Sequence, residues 1–272
     1  MVVPDQRAQQ LAQEHPGSAG LLLFAAGLLK AQGAIRAPDL SAVAPAARPL
    51  LEYCAQKGPP ELASDARDAL SSGFAERVRA YWQTGEFDYL ARAALAPYAR
   101  TLRETGRSPE RGLTGSCVFC GGGAWISSRK IPPGPGTGEG ALRLLHCAVC
   151  AFTWQVGRIR CPACGEEDPE KLPSFSAPEH AGVRVEACES CKTYVKSIDL
   201  TVDARRVPEI DDLVALSLDL WARSQGYQRL EPGPAGLRAP RRFRDRAVTS
   251  PPGPLSNPSC NRRCPDLPSR RR

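Results

Sequence analysis

Cysteine is the residue type whose number and spacing in this chain could do chemistry. The chain has 272 residues and 11 cysteines, and eight of the cysteines form four Cys-x-x-Cys pairs. The pairs are Cys117/Cys120, Cys147/Cys150, Cys161/Cys164 and Cys188/Cys191. A Cys-x-x-Cys turn places two thiolates on one side of a tight knuckle, and two knuckles complete a tetrahedral site of four sulfurs. The spacing therefore predicts metal binding by these eight residues.

The gaps between the pairs indicate how the knuckles combine. Successive pairs are separated by 26, 10 and 23 residues. The longer gaps can form a hairpin between two knuckles, whereas ten residues is short for one. We therefore expect one site from the first two pairs and a second site from the last two. Site one comprises Cys117, Cys120, Cys147 and Cys150, and site two comprises Cys161, Cys164, Cys188 and Cys191.

An internal repeat supports this grouping. In each half, glycine follows the first knuckle, arginine lies four residues before the second knuckle, and threonine and an aromatic residue follow it. The matching residues are Gly121 and Gly165, Arg143 and Arg184, and Thr153-Trp154 and Thr193-Tyr194. Glycine readily adopts a positive φ, and we expect this to point its N–H at a sulfur. The pattern predicts two copies of one ribbon.

Four thiolates select iron or zinc, and the sequence does not separate the two metals. A closed site of four sulfurs has no open coordination position, so we do not expect catalysis at the metal. The competing hypothesis is a thiol-disulfide enzyme. That chemistry needs one reactive pair at a helix N-terminus rather than four pairs in tandem.

The surrounding elements change along the chain. Residues 1–110 are rich in Ala, Leu and Arg, and their apolar spacing predicts an irregular helical bundle. The predicted helices span 19–32, 39–56, 60–83 and 87–105, with Pro45 and Pro49 bending or breaking the second and Pro97 the last. Ribbon modules follow at 111–157 and 158–207, then a helix within 208–230 and a disordered Pro/Arg-rich tail at 231–272. The predicted class is α with a small amount of β structure.

The charge distribution argues against a nucleic-acid-binding body. The chain carries a net charge of +7, but residues 231–272 hold ten Arg and three acids, which leaves 26 basic and 26 acidic residues elsewhere. The longest apolar run, 19–29, has eleven residues, whereas a membrane span needs ~20. We expect a cytoplasmic protein without membrane insertion, in a compartment where Cys pairs favour metal binding over structural disulfides.

Several segments resemble one known family. They are Leu144-Leu-His-Cys-Ala-Val-Cys150, Trp154 with Arg158-Ile-Arg-Cys-Pro-Ala-Cys-Gly165, Ala187-Cys-Glu-Ser-Cys-Lys-Thr-Tyr-Val-Lys196, Pro208-Glu-Ile-Asp-Asp-Leu-Val-Ala-Leu-Ser-Leu-Asp219 and Gly226-Tyr-Gln-Arg229. Together they resemble the formate dehydrogenase accessory protein FdhE family over about 114–230. A generic zinc ribbon carries neither the Tyr-x-Lys segment nor the Asp-Asp-Leu helix.

The resemblance implies a non-catalytic factor that matures a molybdenum- or tungsten-dependent formate dehydrogenase. Such a factor binds the catalytic subunit and takes no small-molecule substrate. Its fold would be a helical domain joined to two rubredoxin-like modules. The candidate partner-binding residues are Arg158, Arg160, Tyr194, Lys196, Asp211, Asp212 and Asp219. For the three aspartates, the alternative is that they complement a helix dipole or remain solvated. For the two arginines, the alternatives are hydrogen bonds across the module junction or a solvated face.

A second function class remains open at this point. A nucleic-acid-binding zinc ribbon would need basic and aromatic residues on its surface, such as Trp154, Arg158, Arg160, Lys192 and Lys196. The neutral body of the chain makes this reading the weaker one. Of the remaining cysteines, we expect Cys54 to be a buried core thiol, and we exclude Cys260 and Cys264 from the metal sites because they lack a second pair.

Overall fold

A helical N-terminal part precedes a sheet that carries the four cysteine pairs. The computed structural model describes residues 3–106, 117–131, 140–233 and the backbone of Ser269–Arg271. Short helices after the sheet pack against both parts. The predicted class, α with a small amount of β structure, is confirmed. The predicted boundary at residue 110 and most of the predicted tail lie outside the described residues.

Seven helices form the described N-terminal part. They are α1 (Pro4–Glu14), α2 (Ala19–Gly33), α3 (Val43–Ala46), α4 (Arg48–Lys57), α5 (Pro60–Ser71), α6 (Phe74–Thr84) and α7 (Tyr89–Glu104). The predicted helix at 60–83 is two helices, because Gly73 adopts a left-handed φ of 77° between α5 and α6. The predicted helix at 39–56 is divided at Ala47, between Pro45 and Pro49, where a bend or break was predicted. Helix α1 was not predicted, because its buried face is only Arg7, Ala8, Leu11 and Ala12.

Helix α7 continues through Pro97, where a bend or break was predicted. Proline lacks an N–H, so the carbonyl of Ala93, four residues earlier, loses its helical donor. The side chain of Gln32 on α2 supplies a replacement, because its Nε2 donates to the Ala93 oxygen at 2.8 Å. A contact between helices therefore satisfies the carbonyl that proline would otherwise leave unpaired.

The cysteine modules share one sheet. Its strands are β1 (Ala124–Lys130), β2 (Leu142–Cys147), β3 (Thr153–Val156), β4 (Ser174–Ser176), β5 (Val183–Ala187), β6 (Thr193–Asp199), β7 (Gln228–Arg229) and β8 (Ser269–Arg271). The strand order is β3-β2-β1-β6-β5-β4-β8, and β7 pairs with β6. Strands β1–β3 and β4–β6 are two antiparallel units, and β1 pairs in parallel with β6 to join them. The two halves therefore form one continuous surface.

The segment after the sheet begins with the short helix α8 (Pro208–Asp211), continues through a 3-10 turn and ends in α9 (Leu216–Ser224). The single helix predicted here is thus interrupted. Ile210, Leu213 and Leu218 of this segment are buried. Residues 231–233 and strand β8 are the described parts of the predicted disordered tail, and β8 pairs with β4 at the sheet edge.

The apolar core explains where the two cysteine sites lie. The cysteines of site one belong to the same buried cluster as the apolar residues of α4–α7. A second cluster joins β5 and β6 to α9, and a third joins α1 and α2 to the segment that starts with α8. Site one is therefore walled by the helical part, and site two is not. Among the described residues, no helix combines the length and apolar character needed to cross a bilayer.

Candidate metal centres

Site one brings together the sulfurs of Cys117, Cys120, Cys147 and Cys150, all within 4.8 Å of one another. The Cys117 and Cys150 sulfurs are 3.6 Å apart, and those of Cys120 and Cys147 are 3.4 Å apart. A tetrahedral ion with metal–sulfur bonds of ~2.3 Å requires sulfur separations of about 3.8 Å. The donor set and its spacing therefore fit a tetrathiolate-bound ion.

Site two repeats this geometry with Cys161, Cys164, Cys188 and Cys191. Its sulfur separations are 3.7 Å between Cys161 and Cys191 and 3.6 Å between Cys164 and Cys188. The two sites differ in exposure. All four cysteines of site one are buried, whereas Cys164 is exposed and Cys191 is partly exposed. The spacing groups the eight cysteines as the structure does, and it contains no signal for this difference.

The four knuckles share one backbone design. The residue after each second cysteine has a positive φ, at Gly121 (65°), Ala151 (54°), Gly165 (79°) and Lys192 (56°). The repeat therefore extends to the two positions without glycine, where this conformation is strained. The predicted role of the glycine N–H is wrong, since Gly121 and Gly165 donate to the carbonyls of Cys117 and Cys161.

The N–H groups that reach sulfur come from inside two of the knuckles. Val149 donates to the Cys147 sulfur and Ala163 to the Cys161 sulfur, each at 3.4 Å. These donors lie two residues after the first cysteine of their knuckle, because the turn directs those amides inward. Hydrogen bonds of this kind favour the thiolate form that binds a metal.

The junction between the modules is held by arginines of the repeat. Arg143 on β2 contacts Glu186 on β5 at 2.7 Å, and its repeat partner Arg184 approaches the same carboxylate at 3.7 Å. Arg143 also donates to the backbone oxygens of Gly157 and Arg160. It therefore fixes the segment that carries two predicted partner-binding residues. Arg143 is one of the matching positions of the internal repeat, but its role at the junction was not predicted.

Arg158 and Arg160 lie at this junction with exposed side chains. Arg160 pairs with Glu167 at 2.7 Å within the second module, rather than bonding across the junction. In the described part of the chain, Arg158 makes no hydrogen bond or ion pair. Both side chains remain accessible to a partner.

The other predicted partner-binding residues are not on the surface. Lys196, Asp212 and Asp219 are fully buried, and Tyr194 is 1% exposed. The Lys196 ammonium lies 2.9 Å from Asp212 Oδ1 and 2.5 Å from Asp219 Oδ2. The prediction that these residues contact a partner, and the alternative that Asp219 is solvated, are both wrong. These residues are buried because Lys196 of β6 forms ion pairs with Asp212 and Asp219 of the following helical segment.

Arg229 completes this buried cluster from β7. It contacts Asp212 at 2.8 Å and Asp219 at 3.0 Å, and Asp219 also accepts a hydrogen bond from the Tyr194 hydroxyl at 2.7 Å. Burial acts to raise the pKa of Asp212, but the charges of Arg229 and Lys196 more than offset it and lower that pKa. Two cations and two anions thus compensate one another away from water.

The helix α8 holds two further pairs that sequence reasoning missed. Asp211, also a predicted partner-binding residue, is 3% exposed and binds Arg7 of α1 with both carboxylate oxygens, at 2.6 and 3.0 Å. Glu209 accepts from His146 Nδ1 at 3.0 Å, and Ser128 Oγ lies 2.8 Å from His146 Nε2. No sequence signal identified Arg7, because α1 itself was not predicted.

Cys54 lies apart from both sites on α4. It is fully buried, and burial raises the pKa of its thiol to about 12. It is therefore the buried core thiol that was predicted, and its raised pKa disfavours the reactive thiolate form. Cys260 and Cys264 lie outside the described residues.

Comparisons with known proteins agree with this architecture. Residues 159–235 match the family model described as FdhE, C-terminal domain. An FdhE homologue from Pseudomonas aeruginosa is 28% identical over 277 residues, covering 84% of this chain and 86% of that protein. The crystal structure of the FdhE protein from Pseudomonas aeruginosa matches with a TM-score of 0.63 at 25% identity, covering 85% of this chain and 92% of that chain. The chain is similar to FdhE proteins in sequence and in fold.

Other FdhE relatives align over shorter stretches. A homologue from Aquifex aeolicus is 30% identical over 159 residues, which cover 57% of this chain and 55% of that protein. The match to FdhE from Escherichia coli K12 is 36% identical over 114 residues and spans 35% of that protein. The region matching the FdhE C-terminal model contains all of site two and all four charged residues of the buried cluster.

Proposed function

We propose that this chain is a non-catalytic, cytoplasmic maturation factor for a molybdenum- or tungsten-dependent formate dehydrogenase. It binds the catalytic subunit of that enzyme and holds two metal ions, iron or zinc, at its tetrathiolate sites. The observation that carries the proposal is the pair of four-cysteine sites set in an FdhE fold. Four sulfurs fill the coordination of a tetrahedral ion, which leaves no position for a substrate.

The eight cysteines would supply all ligands to the two ions. A bound ion stabilises a small ribbon that buries little apolar surface, and an iron ion would also allow one-electron chemistry. The chain's own contribution is to hold each set of thiolates in place before loading. Knuckle hydrogen bonds and the helical wall around site one serve this purpose.

The client surface is proposed to include the exposed module junction. Arg158 and Arg160 are the two predicted partner-binding residues that remain accessible. Two exposed cations next to each other suit an acidic surface on the client. The same feature would serve a nucleic acid, but burial of Lys196 removes one of the basic residues which that function needs.

A capture experiment tests the partner. The full chain, carrying an affinity tag, is expressed in cells that contain or lack the catalytic subunit of formate dehydrogenase. We expect that subunit to be recovered with the tagged chain. The Arg158→Glu/Arg160→Glu variant should recover at least about tenfold less, because like charges at an interface repel.

The matched control is Arg48→Glu/Arg36→Glu, which makes the same charge change on the exposed surface of the helical part. It should leave recovery unchanged. Recovery of nucleic acid instead of the subunit, lost at high salt, would contradict the proposal. Metal analysis together with a visible absorption spectrum identifies the ions, because ferric thiolate is coloured and zinc thiolate is not.

A further inference from the structure

A cavity of about 130 Å³ lies where α2, α7, site one and α8 meet. Its walls are mainly leucine and alanine side chains of α2 and α7, with Val149 and Ala151 from site one. Polar side chains also reach it, and they include Gln32, Arg92, Arg100 and Glu209. An apolar cavity with a few convergent polar groups is the usual form of a small-ligand site.

The hydrogen bonding of Arg100 is the feature of this cavity that indicates a ligand. Its Nε is shielded from solvent and has no hydrogen-bond partner among the described residues. Burial also lowers the pKa of its guanidinium. A buried donor left without an acceptor is costly and uncommon in folded proteins. An acceptor that binds in the cavity would remove this cost.

The charges around Arg100 indicate the charge of that acceptor. Arg92 is 8% exposed and donates to the backbone oxygens of Pro232 and Gly233, at 2.6 and 3.3 Å, which are neutral groups. Glu209 is the only carboxylate among the described residues of the wall, and it is already bonded to His146. Two cations therefore face one anion, and the cavity favours one further negative charge.

We propose that this cavity binds an aliphatic carboxylate. The carboxylate accepts hydrogen bonds from the Arg100 guanidinium, whose planar fork suits two oxygens. The aliphatic chain packs against the apolar walls, which include Leu28, Leu29 and Ala96. Such a group can belong to a free short-chain acid or to the C-terminus of a protein segment. The proposal is independent of the maturation function, because its readouts require no client protein.

The competing role for Arg100 is to compensate site one. Cys147 of site one also lines the cavity. Four thiolates around a divalent ion carry a net negative charge, which a nearby arginine could compensate. This role and the proposed one make different predictions. Compensation predicts that neutralising Arg100 lowers metal content, while carboxylate binding predicts that metal content stays and ligand binding falls.

The test measures butyrate binding to the metal-loaded full chain by ligand-observed NMR titration. We expect saturable binding of butyrate and at least about tenfold weaker binding of 1-butanol, its neutral counterpart. Arg100→Gln should weaken butyrate binding at least about tenfold, because charge-assisted hydrogen bonds are the strong ones. Arg48→Gln, the same change at an exposed arginine, should have no effect.

A second variant keeps Arg100 and fills the cavity. Ala96→Leu adds volume at a buried wall position, and we expect it to block butyrate while two ions remain bound. Acetyl-Ala-Val with a free carboxylate, compared with its amide, distinguishes a chain terminus from a free acid. The proposal is overturned if acetate, butyrate, hexanoate and this peptide all fail to bind. Equal binding of butyrate and 1-butanol, or metal loss in Arg100→Gln with unchanged butyrate binding, would also overturn it.

Discussion

Lys196 is a fully buried lysine whose ammonium contacts two carboxylates and two backbone oxygens. The oxygens belong to Asp212 and Ala215, at 2.8 and 3.1 Å. A buried charge is tolerated only when it is paired and hydrogen-bonded, and Lys196 meets both conditions. Removing Lys196 leaves the two carboxylates of Asp212 and Asp219 facing one cation, Arg229, so the cost of substitution comes mainly from the buried negative charge that stays behind.

Substitution of Lys196 by methionine should therefore be strongly destabilising. We expect Lys196→Met to lower the free energy of unfolding by about 3–5 kcal/mol, measured by urea denaturation of the metal-loaded chain. Lys192→Met, at an exposed lysine four residues away, should change it by less than about 1 kcal/mol. Adding Asp219→Asn to Lys196→Met should recover part of the loss. Equal effects of the two single lysine variants would refute this account.

Gly122 is a second residue whose surroundings dictate its identity. A Cβ at this position would lie 2.8 Å from the Cys147 sulfur and 3.3 Å from the Cys120 sulfur. We expect Gly122→Ala to displace both sulfurs, so that metal analysis finds one ion per chain instead of two. Gly20→Ala is the control, because a Cβ there has no atom within 4 Å. Retention of both ions by Gly122→Ala would show that the knuckle tolerates the methyl group.

At the level of elements, sequence patterns predict structure correctly where the interactions join residues that are close together in the chain. The knuckles and their grouping follow from Cys-x-x-Cys spacing, and each is closed by hydrogen bonds within about five residues. Asp212 and Asp219 are seven residues apart, a spacing that places both on one side of a helix, and both contact Lys196. Whether that side faces water depends on Lys196 and Arg229, which arrive from two strands. No pattern within the helical segment could contain that information.

In helix α7, a contact with another helix offsets the helix-breaking effect of proline. Gln32 donates to the Ala93 carbonyl that Pro97 leaves free, so the effect of each residue depends on the other. We expect Gln32→Leu to lower the free energy of unfolding by about 1–3 kcal/mol. In the Pro97→Ala background, where the helical N–H is restored, the same substitution should cost markedly less.

Thermal or urea unfolding of the four proteins in this double-mutant cycle measures the coupling directly. The cycle carries its own control, since Pro97→Ala alone reports the helical effect of proline. Additive losses would mean that Gln32 acts through packing alone.

Over the whole molecule, the two cysteine sites are built into different surroundings. Site one shares a buried cluster with α4–α7, whereas site two has one exposed and one partly exposed cysteine. Loss of the ion from site one should therefore destabilise the helical part more than loss of the ion from site two. The buried core of the helical part includes the cysteines of site one, and it includes no cysteine of site two.

A matched pair of cysteine variants tests this asymmetry. We expect Cys120→Ser to lower the midpoint of helix melting, followed by far-UV circular dichroism, by at least about 5 °C relative to the parent chain. Cys164→Ser should lose the ion of site two while the helical signal melts within about 2 °C of the parent. The larger shift follows from a core disrupted by one or more kcal/mol. A larger shift for Cys164→Ser would contradict the asymmetry.

The short helix α8 has a mechanical consequence. Two carboxylates of α8 and one that adjoins it connect α1 to two strands of the sheet: Asp211 contacts Arg7 of α1, Glu209 contacts His146 of β2, and Asp212 contacts Lys196 of β6. Any swing of one region away from the others would strip a carboxylate of its counter-charge. These contacts therefore oppose movement of α1 relative to the sheet, and a protein that binds across both parts would meet them in one arrangement.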